Sequence, residues 1–257
     1  MSKPQNGFSL VELSIVIAII GLLIGGVMAG RNIMRASSVN KAGIEITGYS
    51  DAIYRFQQQY GFLPGDMPDA TSYWGEVSGT PATCRTTTTY DNQTCDGDGN
   101  GEIDDTTGSN EPFRAWQHLS AAEMVSGQYS GVGGSGGSTH AVPGENIPRG
   151  PMSSSGFYIV DMNALSGSAT YWDTVGGTFI LHGGAGAGLP TQQLFIPKEA
   201  QSIDSKFDDG LPQSGFLVSR KNQANCATST SMSTANYNVS DGRPRCIIYL
   251  STEVHWK

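Results

Sequence analysis

The chain has 257 residues, 38% of them hydrophobic and only 15% charged, enough apolar content to bury the core of one large domain or two small ones. A net charge of −8 argues against sequence-independent nucleic-acid binding, which depends on Lys and Arg displacing phosphate counterions. The four cysteines, Cys84, Cys95, Cys226 and Cys246, lack CxxC spacing and a nearby His pair, so two disulfides in an oxidising compartment fit them better than a zinc site or a redox motif.

Residues 8–29, FSLVELSIVIAIIGLLIGGVMA, form a nearly unbroken apolar run. As a helix it would rise about 33 Å, enough to cross the roughly 30 Å hydrocarbon core of a bilayer. One charge, Glu12, lies inside it, and a carboxylate in hydrocarbon is costly enough to need a partner. The preceding MSKPQNG is short and polar, with one cation, Lys3. Cleavage after Val27-Met28-Ala29 would make the run an ordinary secretory signal, but Glu12 would then interrupt its apolar region to no purpose. The other position for a cut is before the run, between Gly7 and Phe8.

Gly7-Phe8-Ser9-Leu10-Val11-Glu12-Leu13, opening a long apolar helix, resembles the processing signature of type IV prepilins and of the pseudopilins of type II secretion. The resemblance implies that residues 1–7 are a leader removed by a prepilin peptidase and that Phe8 becomes an N-methylated N-terminus. Residues 8–30 would be the transmembrane and assembly half of an N-terminal helix, and residues 31–257 a globular head that includes the amphipathic half of that helix. The implied function is a structural subunit of a type IV pilus-like or type II secretion filament, with other pilin or pseudopilin subunits and the membrane as partners. The alternative is a minor tip pilin acting as an adhesin or ligand-binding module, for which Trp74, Trp172 and the Gly-rich loops would supply the surface. The implied location is the bacterial inner membrane with the head in the periplasm, then a periplasmic or extracellular filament. Glu12 has a physical role in this scheme: a released helix carries a free amine and unsatisfied N–H groups in lipid, which a carboxylate neutralises. The amine can be that of Phe8 in the same chain or that of a neighbouring subunit, and the cost of leaving either charge alone in hydrocarbon favours the neighbour. Many members of the family carry a proline about where Ala29 stands, so any local unwinding here would rely on Gly21, Gly25 and Gly26.

Beyond Gly30, Val39, Ala42, Ile46, Tyr49, Ile53, Phe56 and Tyr60 recur at alternating steps of three and four, one apolar stripe on a helix. Polar residues fill the other faces, so this half must dock on something. Gly61 and Pro64 should stop it. A single helix from Phe8 to Tyr60 would be about 80 Å long, whereas a break near Gly25, Gly26 and Gly30 would give two. In the head, Asn110 is expected to cap a short helix that Gly127 ends, and GGSGGSTH at 133–140 is expected to form a flexible surface loop. Strands are expected at 156–160, 178–182, 215–218 and 245–250, with a helix at 198–207. The expected fold class is α+β and pilin-like: one long N-terminal helix packed on a loop-rich head with an antiparallel sheet.

DGDGNGEIDD at 96–105 places Asp96, Asp98 and Asn100 at the first, third and fifth positions of a calcium loop, Gly101 at the sixth, Glu102 at the seventh and Asp104 at the ninth. Alternate-position oxygens with glycines between them can curl around one hard cation, so one calcium ion is expected, with the Glu102 backbone as a ligand. Thr107 stands where the bidentate Glu would be, so Asp105 or Glu111 would have to fold in; the competing reading is an exposed acidic turn. The resemblance adds that major pseudopilins carry calcium in their heads, at a different place in the chain. Asp204, Asp208 and Asp209 read as the solvated end of a helix, with a metal site as the alternative. Cysteine pairing is expected to be local, Cys84 with Cys95 and Cys226 with Cys246, the simplest of three connectivities. Scattered histidines and the absence of HExxH, G-x-S-x-G and a phosphate-binding loop leave no catalytic residues to nominate.

Overall fold

The computed structural model describes residues 9–77, 84, 86–88, 93–104, 108, 110–163, 171–172, 176–221 and 225–253. Helix α1 runs unbroken from Leu10 to Tyr60, 51 residues and about 76 Å. Its interior glycines cost up to about 1 kcal/mol each, too little to interrupt a run made mostly of Leu, Ile, Val and Ala. Ser9 caps the start. At the other end Gly61 turns left-handed, φ 80°, and donates its N–H to Gln57 O at 2.9 Å, which closes the last turn.

The two halves of α1 meet different surroundings. From Leu10 to Met34 the large apolar side chains stand outside the fold; Leu22 is 79% exposed and Ile33 71%. From Val39 onward the predicted stripe is inside: Ala42, Ile46 and Phe56 are fully buried, and Tyr49 and Tyr60 pack partly buried against the core. The transition is tied by Arg35, whose Nε and Nη2 donate to the two Glu199 carboxylate oxygens at 2.7 and 2.6 Å and whose Nη2 also donates to Leu194 O at 2.8 Å. A little further on, a Cβ at Gly43 would lie 2.7 Å from the Phe207 ring, so glycine there allows close approach of the helix that carries Phe207.

The head comprises α2 (Ala70–Trp74), α3 (Glu111–Ala121), β1 (Ser155–Asp161), β2 (Thr178–Gly184), α4 (Pro197–Phe207), β3 (Leu217–Ser219) and β4 (Ile248–Ser251), of which α3, β2, α4 and β4 pack against α1. The four strands form one antiparallel sheet, ordered β1-β2-β4-β3. Its register aligns Ile159, Ile180, Leu250 and Leu217 in one row across all four strands, and Tyr158, Leu181, Tyr249 and Val218 in the next. The strands are buried along their whole length, which is why they read as short continuous apolar runs rather than as alternating ones. Tyr49 of α1 joins the layers, edge-on to Phe157 of β1 at 4.9 Å and to Trp116 of α3 at 5.1 Å.

Two expectations need correction. α3 ends at Ala121, not at Gly127: Glu123 takes a positive φ of 58°, and Met124 and Val125 fold back with their N–H groups on Leu119 O and their side chains on the core. Asn110 precedes α3 but gives it no side-chain cap; its Oδ1 accepts from Gly133 N–H at 3.1 Å. The glycine-rich segment 133–140 is an exposed loop, as expected, bridged within itself by Gly134 N–H donating to His140 O at 2.8 Å and Gly136 N–H to His140 Nδ1 at 2.8 Å.

Both cysteine pairs are bonded locally in the structure, Cys84 to Cys95 and Cys226 to Cys246, with Cα separations of 5.8 and 5.1 Å.

Candidate functional site

Two regions carry the chemistry singled out from the sequence. The first is the start of α1. Gly7 and Phe8 lie outside the described residues, as does the leader. Glu12 sits in the first turn, where its Oε2 accepts from the Ser9 backbone N–H at 2.8 Å while Ser9 Oγ accepts from Glu12 N–H at 3.2 Å. This reciprocal pair is a capping box. It gives Glu12 an in-chain partner, Ser9, beside the cationic one expected; a serine followed three residues later by glutamate is the local signal for it. The carboxylate is exposed, on a helix whose apolar side chains from Leu10 to Met34 have no cover among the described residues. By length and composition this helix can cross a membrane.

The second region is the acidic loop, and its side chains are largely engaged by the fold. Asp96 reaches α2, where its Oδ1 accepts from Thr71 N–H at 2.8 Å and its Oδ2 from Thr71 Oγ1 at 3.1 Å. Asp98 Oδ1 accepts from Asn100 N–H, and Asn100 Oδ1 from Glu102 N–H at 2.7 Å, two successive side-chain turns. Asp105 and Thr107 lie outside the described residues. Glu111 does fold in: its two oxygens accept from Asp98 and Asp104 N–H, each at 3.2 Å. Asp66, from the segment after α1, accepts from Asn100 N–H at 2.9 Å and Gly101 N–H at 3.0 Å.

The loop carboxylates are therefore distributed differently from the expected five-residue set. Asp66, Asp98 and Glu111 bring oxygens within 4.8 Å of one another, and this group could hold a cation. Burial pushes the Asp66 carboxyl up to about 6 and the Glu111 carboxyl up to about 7, against the pull of their N–H donors. Neither Asp66 nor the sheet carboxylate Asp161 was singled out from the sequence, since nothing in local spacing marks residues that arrive from elsewhere in the chain. Asp104 is buried beside Ile103. Glu102 lines a cavity of about 410 Å³, whose lining also includes Asp161, Asn163, Thr178, Thr252 and Glu253. There the charge of Asp161, foremost, raises the Glu102 carboxyl above its ordinary range.

In the other acidic cluster Asp208 and Asp209, half-buried and exposed, do stand at the open end of α4, and Asp204 departs from that reading. Asp204 is fully buried and accepts from Tyr237 Oη at 2.7 Å and Gly210 N–H at 2.8 Å, while Asp208 accepts from Phe216 and Leu217 N–H. Of the two tryptophans considered for a recognition surface, Trp172 is buried and Trp74 half-buried, packed on Phe56, Tyr60 and His118. His118 is a fold residue too: Nδ1 accepts from Gly65 N–H at 2.9 Å, Nε2 lies 3.1 Å from Cys95 O, and burial pushes its pKa down to about 3.

No curated protein and no solved structure matches the chain. Residues 2–28 match the family model described as the prokaryotic N-terminal methylation motif, the region that spans Gly7, Phe8, Glu12 and the start of the apolar run. The chain thus carries a prepilin-type cleavage and methylation motif at the head of a pilin-like α+β fold.

Proposed function

We propose that this chain is a structural subunit of a type IV pilus-like or type II secretion filament. It enters the inner membrane as a prepilin, is cut by a prepilin peptidase between Gly7 and Phe8, and assembles through the apolar half of α1. One observation carries the reading: an apolar helix with no cover among the described residues is continuous with a helix buried in a folded head. A signal sequence would be discarded and needs no such continuity, whereas a subunit that packs helices in a filament needs both halves on one axis. The matched methylation motif supports the same reading. In the membrane the apolar half is covered by lipid, with the head on the periplasmic side; in the filament it is covered by other subunits.

The test is expression in a host with a matching assembly system, followed by mass measurement of the mature N-terminus and shearing of filaments from the cells. The expected product begins at Phe8, is N-methylated and appears in the sheared fraction. Glu12→Ala should remain in the membrane and drop out of that fraction, because spanning needs only the apolar run. Ser9→Ala is the control, since it breaks the capping box while keeping the carboxylate. A product starting at Gly30, or Glu12→Ala incorporated as well as the parent chain, would overturn the proposal.

A further inference from the structure

We propose that the groove between α1 and α4, at the foot of the head, holds the phosphate headgroup of an anionic phospholipid. The inference rests on the reading of α1 as a membrane helix. From Leu10 to Arg31 α1 rises about 32 Å, against a hydrocarbon core of roughly 30 Å. Arg31 thus stands where the helix leaves the hydrocarbon, and Arg35, one turn on, lies about 6 Å higher, in the headgroup layer. α4 runs in the same direction as α1: Glu199 in its first turn takes Arg35, and Phe207, its last residue, meets Gly43. Lys198, next to Glu199, is therefore at the level of Arg35. The groove at this level has a volume of about 350 Å³. Apolar Val39 and Ile196 line it together with the amides of Asn32 and Asn40 and the cations Arg35 and Lys198.

The charges decide the class of ligand. Glu199, the one carboxylate in the lining, is already held by Arg35. That pairing fixes Nε and Nη2 of the guanidinium and leaves Nη1 without a partner among the described residues. Arg31 and Lys198 are exposed and unpaired among the described residues. The surplus here is cationic, on a chain whose net charge is −8. The acidic groups gather at the far end of the head instead: Asp66 comes just after α1, and Glu102 and Asp161 line the cavity beside Gln57. Guanidinium, ammonium and amide donors around one groove match the oxygens of a phosphate, and at this height the phosphates at hand are those of the bilayer. Each Lys or Arg next to an anionic lipid surface strengthens binding about fivefold. Ile33 and Met34, exposed on the same turns of α1, give the acyl chains of that lipid an apolar surface that a free phosphate ion would not use.

The experiment uses the full chain in two steps. Flotation with phosphatidylcholine vesicles comes first: a chain left in the aqueous fraction overturns the membrane reading and this proposal with it, whereas a chain that floats but shows no lipid preference overturns this proposal alone. The chain in neutral detergent micelles is then titrated with phosphatidylglycerol and, separately, with phosphatidylcholine, and native mass spectrometry counts the lipid retained. One phosphatidylglycerol per chain is expected, held about tenfold or more tighter than phosphatidylcholine. Arg31→Gln and Lys198→Gln should each weaken it about fivefold and the double variant about 25-fold, whereas Arg55→Gln, paired with Asp51 far up the helix, should change it by less than about twofold. Arg31 and Lys198 are exposed, so both variants keep the fold. The proposal is overturned by equal retention of the two lipids, by a loss in Arg55→Gln as large as that in Arg31→Gln, or by inorganic phosphate displacing the lipid at comparable concentration. It is equally overturned by lipid-free dimers that Arg31→Gln and Lys198→Gln dissolve, since the groove would then belong to a second copy of the chain.

Discussion

Phe56→Ala should separate the head's dependence on α1 from the membrane half of the same helix. Phe56 is fully buried, with ring centroids 4.5 Å from Tyr60, 6.0 Å from Trp74 and 6.2 Å from His118. Truncating a buried Phe to Ala costs about 3–5 kcal/mol, and the position in that range depends on how far the surroundings can collapse. Here they are held: the His118 ring is fixed by Gly65 N–H on one side and Cys95 O on the other, and Tyr60 lies in the last turn of α1, which Gly61 closes. The upper half of the range is therefore expected, about 4–5 kcal/mol. At about 2 °C per kcal/mol for a domain of about 200 residues, the melting temperature should fall by about 8–10 °C. The assay is thermal unfolding of the full chain in detergent micelles, followed by near-ultraviolet circular dichroism. Leu22→Ala, at a position 79% exposed and without head contacts, should leave the melting temperature within about 1 °C. A fall of less than about 2 °C in Phe56→Ala, or an equal fall in Leu22→Ala, would refute the division of α1 into a free and a docked half.

Two further outcomes follow from the head. Burial, foremost, pushes the Asp204 carboxyl up to about 7, with Asp208 and Asp209 adding repulsion. A raised acid holds its proton longer in the folded chain, so its contribution to stability is complete below the unfolded pKa near 3.8 and is lost as pH rises through about 7. Urea titrations of the parent chain against Asp204→Asn should show the parent losing ground by a few kcal/mol between about pH 4 and about pH 8, and parallel curves would contradict the assignment. Non-reducing peptide mapping should recover Cys84 linked to Cys95 and Cys226 linked to Cys246, at sequence separations of 11 and 20. Removing either bond should cost about 3 kcal/mol on the chain-entropy model; a peptide joining Cys84 to either C-terminal cysteine would disprove the pairing.

The elements that could be read from the sequence are those whose signal is local and repeated. The stripe from Val39 to Tyr60 repeats because one helix face meets one core, and the four strands stand out because both their faces are covered. The end of α3 was unreadable for the opposite reason. Ala122 to Gly127 contains good helix formers, and what ends the helix is the burial gained when Met124 and Val125 turn back. The same limit governs the acidic loop. Its alternating oxygens were visible, but Thr71, Asp66, Glu111 and Asp161, which decide where each carboxylate points, arrive from four other segments. Glu12 shows a milder version, since a membrane charge and a capping box are both legible in the same few residues.

The uncovered half of α1 also constrains the route by which this chain can travel. From Leu10 to Met34 more than a dozen large apolar side chains lie outside the fold. At about 1.5–3 kcal/mol each on transfer to water, baring them together costs tens of kcal/mol, more than the whole stability of a typical domain. Diffusion of a free subunit through an aqueous compartment is closed to such a molecule. The helix must pass directly from one apolar covering to the next, and in the proposed filament leaving the bundle would mean re-entering lipid. The head, by contrast, pays nothing in that exchange, because its core is complete before the helix moves.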